Sequence, residues 1–243
     1  MNERKLKFYG EPPLRADEGR FPGRLIVFEG PDGSGRSTHI RLTKEWLEDH
    51  GYGVVDTGLT RSELAGRGIE RAKTGHNLDP LTLNLFYATD FADRLERTII
   101  PALRAGLIVL ADRYMYSLIA RASVRGVSPE WMQDVYGFAA VPDRVIYLDV
   151  DVDHLLSRIL ATAGGFDYWE SGQDFLRGQD QHTTYVDYQN EMIGEFRSLA
   201  AIHDFVMIDA NGPISATFSA ILEVIRDEVR QMADEDPHTP PAS

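Results

Sequence analysis

The sequence predicts an α/β fold, a five-stranded parallel sheet with helices on both faces, on three observations. Short apolar runs of strand length alternate with longer amphipathic stretches, and the runs are rich in Val, Ile, Leu and Tyr. Prolines also stand where the first turn of a helix has no use for an N–H. The first strand, Leu25–Glu29, runs through a glycine-rich turn into a helix at Ser37–His50. A second strand at Gly53–Thr57 precedes a helix at Ser62–Lys73 and a long one at Pro80–Ala105, opened by Asp79-Pro80. The third strand is Leu107–Asp112. Ser128-Pro129 opens a helix reaching Ala139, and the fourth strand, Arg144–Asp149, leads into a helix at Asp153–Ala161. A helix at Thr183–Ile202, a fifth strand at Phe205–Asp209 and a last helix at Pro213–Met232 complete the pattern.

One domain is expected over residues 23–233, between two tails. Residues 1–22 hold three prolines and two glycines with little periodicity and read as an N-terminal arm outside the core. The end, DEDPHTPPAS at 234–243, reads as a disordered tail. Among the 243 residues 43% are hydrophobic, which excludes disorder for the bulk of the chain. With no cysteine, disulfides, thiolate metal sites and a Cys nucleophile are excluded. The seven histidines show no H-E-x-x-H or paired spacing, so no transition metal is assigned. There is no run of about 18 apolar residues and the start is charged, so neither a membrane span nor a signal peptide is expected and the location is read as cytoplasmic. The formal charge of −13 repels a duplex nucleic acid, whereas a few amides and arginines in one pocket still suit a small phosphate ligand.

The strongest local signal is Gly30-Pro31-Asp32-Gly33-Ser34-Gly35-Arg36-Ser37, a G-x-x-x-x-G-K-[ST] phosphate-loop pattern with arginine in the lysine place. It follows a strand and opens a helix. Glycines let successive N–H groups curl around phosphate oxygens, and the first helical turn, through Thr38, adds unpaired donors and the positive end of a dipole. The ATP-binding residues expected are thus Gly30, Asp32, Gly33, Ser34, Gly35, Arg36, Ser37 and Thr38, with the Ser37 hydroxyl available to Mg²⁺. Arg36 keeps the charge of lysine but is a planar fork, so it need not fit the phosphates in the same way.

From this loop the stretch LIVFEGPDGSGRSTHIRLTKEWLEDHGY resembles the opening of the thymidylate kinase family, whose first strand ends F-E-G before D-G-[SA]-G-K-[ST]-T. The stretch LTLNLFYATDFADRLERTIIPALRAGLIVLADRYMYS is similar to the family's long helix, its P-A-L turn, its third strand and its Asp-Arg-Tyr/Phe-x-x-Ser signature. A weaker match, RVIYLDVDVDHLLSRI, looks like the strand and helix before the family's lid. The resemblance covers about Arg24 to Arg226. It implies a P-loop, nucleoside-monophosphate-kinase fold with ATP on the loop, a monophosphate acceptor opposite, a lid at about 162–182 and a homodimer formed through helices near Pro80–Ala105.

By the same resemblance Arg36, Asp112 and Arg113 are the catalytic candidates, with Asp112 and Ser37 serving Mg²⁺ and Arg113 gripping the acceptor phosphate. Asp32 would meet the sugar hydroxyl, or else be a turn residue. Either Phe86 or Tyr87 matches the aromatic that stacks on the base, or packs in the core. Tyr114 and Ser117 belong to the Asp-Arg-Tyr signature, and Arg61 approaches the acceptor phosphate, although the glutamate of the family's T-R-E-P segment is missing. Phe91 takes the place of an arginine that donates to the base, a bond that a phenyl ring cannot make. Arg121 brings a charge where the family has Tyr. From Ala161 no arginine appears until Arg177, so the lid is eroded relative to the family's: either Arg36 serves twice or another arginine replaces the usual lid arginine. The expected activity is ATP-dependent phosphoryl transfer to dTMP or a related pyrimidine monophosphate, with Arg36 either weakening it or leaving the lysine's part to a different cation. Two alternatives stay open: a non-catalytic nucleotide-binding homologue, and a kinase for a non-nucleotide acceptor.

Overall fold

The computed structural model describes residues 4–16, 18–75, 79–162, 171–174 and 180–235. Five strands form one parallel sheet: β1 (Arg24–Glu29), β2 (Val54–Gly58), β3 (Ile108–Asp112), β4 (Arg144–Asp149) and β5 (Val206–Asp209), in the spatial order β2-β3-β1-β4-β5. Each lies within two residues of its expected bounds. Register places Asp112 beside both Phe28 of β1 and Gly58 of β2. Three strand ends, far apart in sequence, therefore meet at the carboxyl edge, where parallel sheets bind their ligands.

Alternate residues of the central strands enter two separate cores, which is why both faces read as apolar. Leu25, Val27, Val109, Ala111, Val145 and Tyr147 face one cluster. There they meet α3 (Pro80–Arg94), α5 (Met115–Val124) and α8 (Gln181–His203). Ile26, Phe28, Ile108, Leu110, Ile146 and Leu148 face the other, under α1 (Arg36–Asp49) and α9 (Ile214–Glu235). Shorter helices are α2 (Gly66–Gly75), α4 (Ile100–Arg104), α6 (Pro129–Val135) and α7 (Val152–Thr162).

The long helix expected at Pro80–Ala105 is helical throughout but changes winding, with a π turn at Leu95–Ile99 between α3 and α4. Pro101 stands just beyond that turn, has no N–H for an α-helical bond and would clash with the carbonyl four residues back, which the wider turn relieves. Helix α5 is an element that the sequence pattern missed. It is buried on nearly every side, from Met115 to Ala120 and again at Ala122, so it carries no amphipathic period.

The first segment, described over 4–16 and 18–22, joins the core, in contrast to the expectation from composition. Leu6, Ala16 and Phe21 are buried in the first cluster, and Phe8 bridges Ala140. Arg4 donates to the Phe21 and Gly23 carbonyls at 2.6 Å and pairs with Asp143. At the other end, Asp234 and Glu235, expected in the tail, belong to α9, and Glu235 pairs with Arg24 at 2.7 Å. Residues 236–243 and most of the expected lid, Arg177 included, lie outside the described residues.

Candidate active site

The turn between β1 and α1 is closed by glycines where no other residue fits. Gly30 has φ +146°, and a Cβ there would meet the Leu148 carbonyl and Ser34 Oγ, each at 3.0 Å. Gly35, at φ +93°, stands at the N-terminus of α1, whose first N–H groups receive no side-chain cap from it. Ser34 is 2% exposed and its hydroxyl has no partner, an orphaned donor inside the loop that a phosphate oxygen would satisfy. Thr38 is half-buried in the first turn of α1.

Arg36 lies along the floor of this loop. Its Nη1 donates to the Pro31 carbonyl at 2.7 Å and to the Gly30 carbonyl, and its Nε donates to Asp112 Oδ1 at 2.9 Å. The other Asp112 oxygen accepts from Ser37 Oγ at 3.1 Å. A hydroxyl and a carboxylate are thus juxtaposed beside the phosphate loop. These hard oxygen donors fit Mg²⁺, which keeps most of its shell as water and phosphate and needs only one or two protein ligands. No group of three or more His, Asp or Glu that could hold a metal occurs among the described residues.

On the cleft side of the loop, Asp32 is clamped by Arg113 and by Arg121, whose Nη2 lies 3.1 Å from Oδ2, and Arg36 stands 3.6 Å away. Arg113 has a left-handed backbone, φ +69°, fixed by its N–H donating to Phe28 O at 2.9 Å. Below it the buried Glu29 carboxylate accepts from Tyr114 N at 2.8 Å, Ser117 N at 3.2 Å and Ser117 Oγ at 2.5 Å. Glu29 therefore caps α5 and ties the first strand to the Asp-Arg-Tyr turn. Burial pushes its pKa above the ordinary carboxyl value.

A cleft of about 260 Å³ opens between these parts, bordered by Asp32, Arg36, Asp112, Arg113 and Arg121 together with Arg61, Lys73 and Tyr87. Five cations face two carboxylates there, within a protein of charge −13. The local field favours an anion. Arg61 sits on the turn after β2, and that turn is held by the buried Asp90, which accepts from Thr60 N at 3.1 Å and Ser62 N at 3.0 Å.

Of the expected acceptor-site residues, Asp32, Arg61, Tyr87, Arg113 and Arg121 line this cleft, and four do not. Phe86 packs toward Gly68 of α2, with its ring 3.1 Å from where a Cβ there would be. Phe91 is fully buried, its ring 4.7 Å from Tyr114 and 5.5 Å from Tyr136. Tyr114 is buried with its hydroxyl on Ala140 O at 2.9 Å, and Ser117 is committed to Glu29. These three side chains support the cleft from beneath because apolar packing and the Glu29 carboxylate hold them. Sequence reasoning missed Lys73, Glu29 and Arg158. Arg158, on α7, reaches the loop from behind, donating to Ala210 O at 2.6 Å and to Gly33 O at 3.3 Å. Its place one turn before the expected lid was the available signal.

A phosphate loop at the carboxyl edge of a parallel sheet, facing a cation-lined cleft, defines a P-loop phosphotransferase of the nucleoside-monophosphate-kinase type. The family model described as thymidylate kinase matches residues 28–221. The chain is 36% identical over 193 residues to the probable thymidylate kinase 2 of Saccharolobus solfataricus, covering 79% of this chain and 90% of that protein. It is 32% identical over 208 residues to the probable thymidylate kinase of Caldivirga maquilingensis, covering 85% and 95%. The chain belongs to the thymidylate kinase family.

Proposed function

We propose that this enzyme transfers the γ-phosphoryl group of ATP to dTMP, with the triphosphate on the Gly30–Ser37 loop and the acceptor in the cleft opposite. The observation that carries the reading is the convergence of Arg36, Ser37 and Asp112 at the loop with Arg113 and Arg121 across a gap of nucleotide size. Loop amides and the free Ser34 hydroxyl hold the polyphosphate. Arg113 and Arg61 grip the acceptor phosphate, and Tyr87 offers a ring face to the base. Ser37 and Asp112 would hold Mg²⁺, which would supply charge neutralisation for the transferred phosphoryl group. Little covalent help is needed, since positioning and cationic stabilisation carry phosphoryl transfer.

Arg36 supplies a guanidinium beside the phosphate loop, and its ties to two carbonyls and Asp112 limit how far it can move, so a modest turnover is expected. Exposed Leu81 and Leu85 on α3 support a homodimer through that helix. The net charge argues against a duplex nucleic-acid partner. No helix among the described residues is long and apolar enough to cross a membrane, and a cytoplasmic site suits nucleotide substrates. Coupled ADP release measured over a panel of nucleoside monophosphates tests the reading: dTMP should stimulate turnover, and ATP binding with no stimulation by any acceptor would refute it.

A further inference from the structure

Resting on that reading, we infer that Asn84 is the residue that reads the acceptor base, and that it selects a pyrimidine carrying a carbonyl beside a ring N–H. The position from which the family resemblance expects a base contact makes none: Phe91 is buried among Tyr114, Tyr136 and Phe138. The base contact falls to another group beside Tyr87. Asn84 stands three residues before Tyr87 and seven before Phe91, on the same helical face one and two turns away.

A small cavity of about 40 Å³ continues the cleft past Lys73, Tyr87 and Arg121, and Asn84 lines it with Leu83 and Leu118. It has room for one substituent rather than a ring, so it meets the edge of a base lying against Tyr87. The Asn84 side chain is half-buried and has no hydrogen-bond partner among the described residues. A carboxamide offers one acceptor and two donors, the complement of two adjacent polar groups on a base edge. By itself it can turn to match either a C=O/N–H edge or an NH₂/N edge. The other polar groups of the cavity break the tie. Lys73, Arg121 and Arg125 line it, with Arg121 paired to Asp32 at 3.1 Å and Arg125 to Asp174 at 2.7 and 2.9 Å. All three only donate, and no carboxylate lines the cavity among the described residues, so a carbonyl oxygen suits it where an amino group does not, and thymine or uracil is favoured over cytosine.

The test compares wild type with Asn84→Leu and Asn84→Asp, in kcat/KM for dTMP and dCMP and in calorimetric binding of each nucleotide. Loss of a paired contact should lower the dTMP-to-dCMP ratio about 10-fold or more in Asn84→Leu, with the KM for ATP unchanged. Asn84→Asp, which only accepts, should shift the ratio at least as far toward dCMP. Thermal unfolding of each variant checks that the fold is kept, and binding gives a readout independent of turnover. A wild type active on dTMP whose ratio survives both substitutions overturns the Asn84 assignment alone. A wild type that neither turns over nor binds any monophosphate overturns the proposed function and this inference with it.

Discussion

Arg36 Nε donates to Asp112 Oδ1 at 2.9 Å, so the cation of the phosphate loop and the carboxylate at the end of β3 are bound to one another across 76 residues of sequence. The pair does two things at once. It holds Asp112 with its second oxygen on Ser37, and it keeps the guanidinium on the loop floor, where the Gly30 and Pro31 carbonyls accept its other donors.

Arg36→Lys is therefore expected to lower kcat on the order of 10³-fold, although lysine is the residue that the loop pattern usually carries. A single ammonium cannot serve both carbonyls and Asp112 in the geometry of a planar fork. Steady-state ADP release decides it: an unchanged or raised kcat contradicts the role given to the guanidinium.

Arg113→Met should raise the KM for dTMP about 10- to 100-fold while leaving the KM for ATP near its original value. The side chain is on the acceptor side of the cleft, beside Asp32, and its loss removes a charge-assisted bond to the acceptor phosphate. Equal losses for both substrates would place it elsewhere.

Phe91→Arg, which restores the family's residue, should destabilise the fold by about 3–5 kcal/mol rather than improve base reading. The ring is fully buried, and the Arg94 guanidinium already lies 5.5 Å from its centre, so a second cation would be buried unpaired. Urea unfolding measures the change; a variant as stable as wild type would show that position 91 opens toward the cleft.

Glu29 makes a pH prediction. Its folded pKa is raised by burial, so the folded state holds the proton more tightly than the unfolded one. The stability linked to that proton is complete below the ordinary value of 4.5 and is lost as pH rises through the higher folded value. Glu29→Gln keeps a carbonyl for the Tyr114 and Ser117 N–H groups and cannot ionise. Between pH 4.5 and neutrality its stability should fall less than that of wild type, and parallel curves from denaturant titrations would contradict this.

Much of the site was legible because its chemistry is local in sequence. The loop from Gly30 to Ser37 carries its own spacing, and Asp112-Arg113 closes a strand whose apolar run was plain. The rest depended on partners that no local period connects. Glu29 meets Tyr114 and Ser117 from 85 and 88 residues away, so a carboxylate at a strand end gave no hint of its cap. Phe91 aligns with a base-reading position, but its direction is set by Tyr136 and Phe138 on a different part of the chain. Composition misjudged the first segment for a similar reason: Leu6, Ala16 and Phe21 are scattered among polar residues, and only the folded surface that they cover gives them a common face.

The central claim is group transfer between two nucleotides, and the most direct measurement follows the phosphorus itself. With ATP labelled at the γ-phosphate, Mg²⁺ and dTMP, the protein should yield labelled dTDP in a one-to-one ratio with ADP. Label appearing only as free phosphate, or remaining in ATP whatever monophosphate is supplied, would contradict the account.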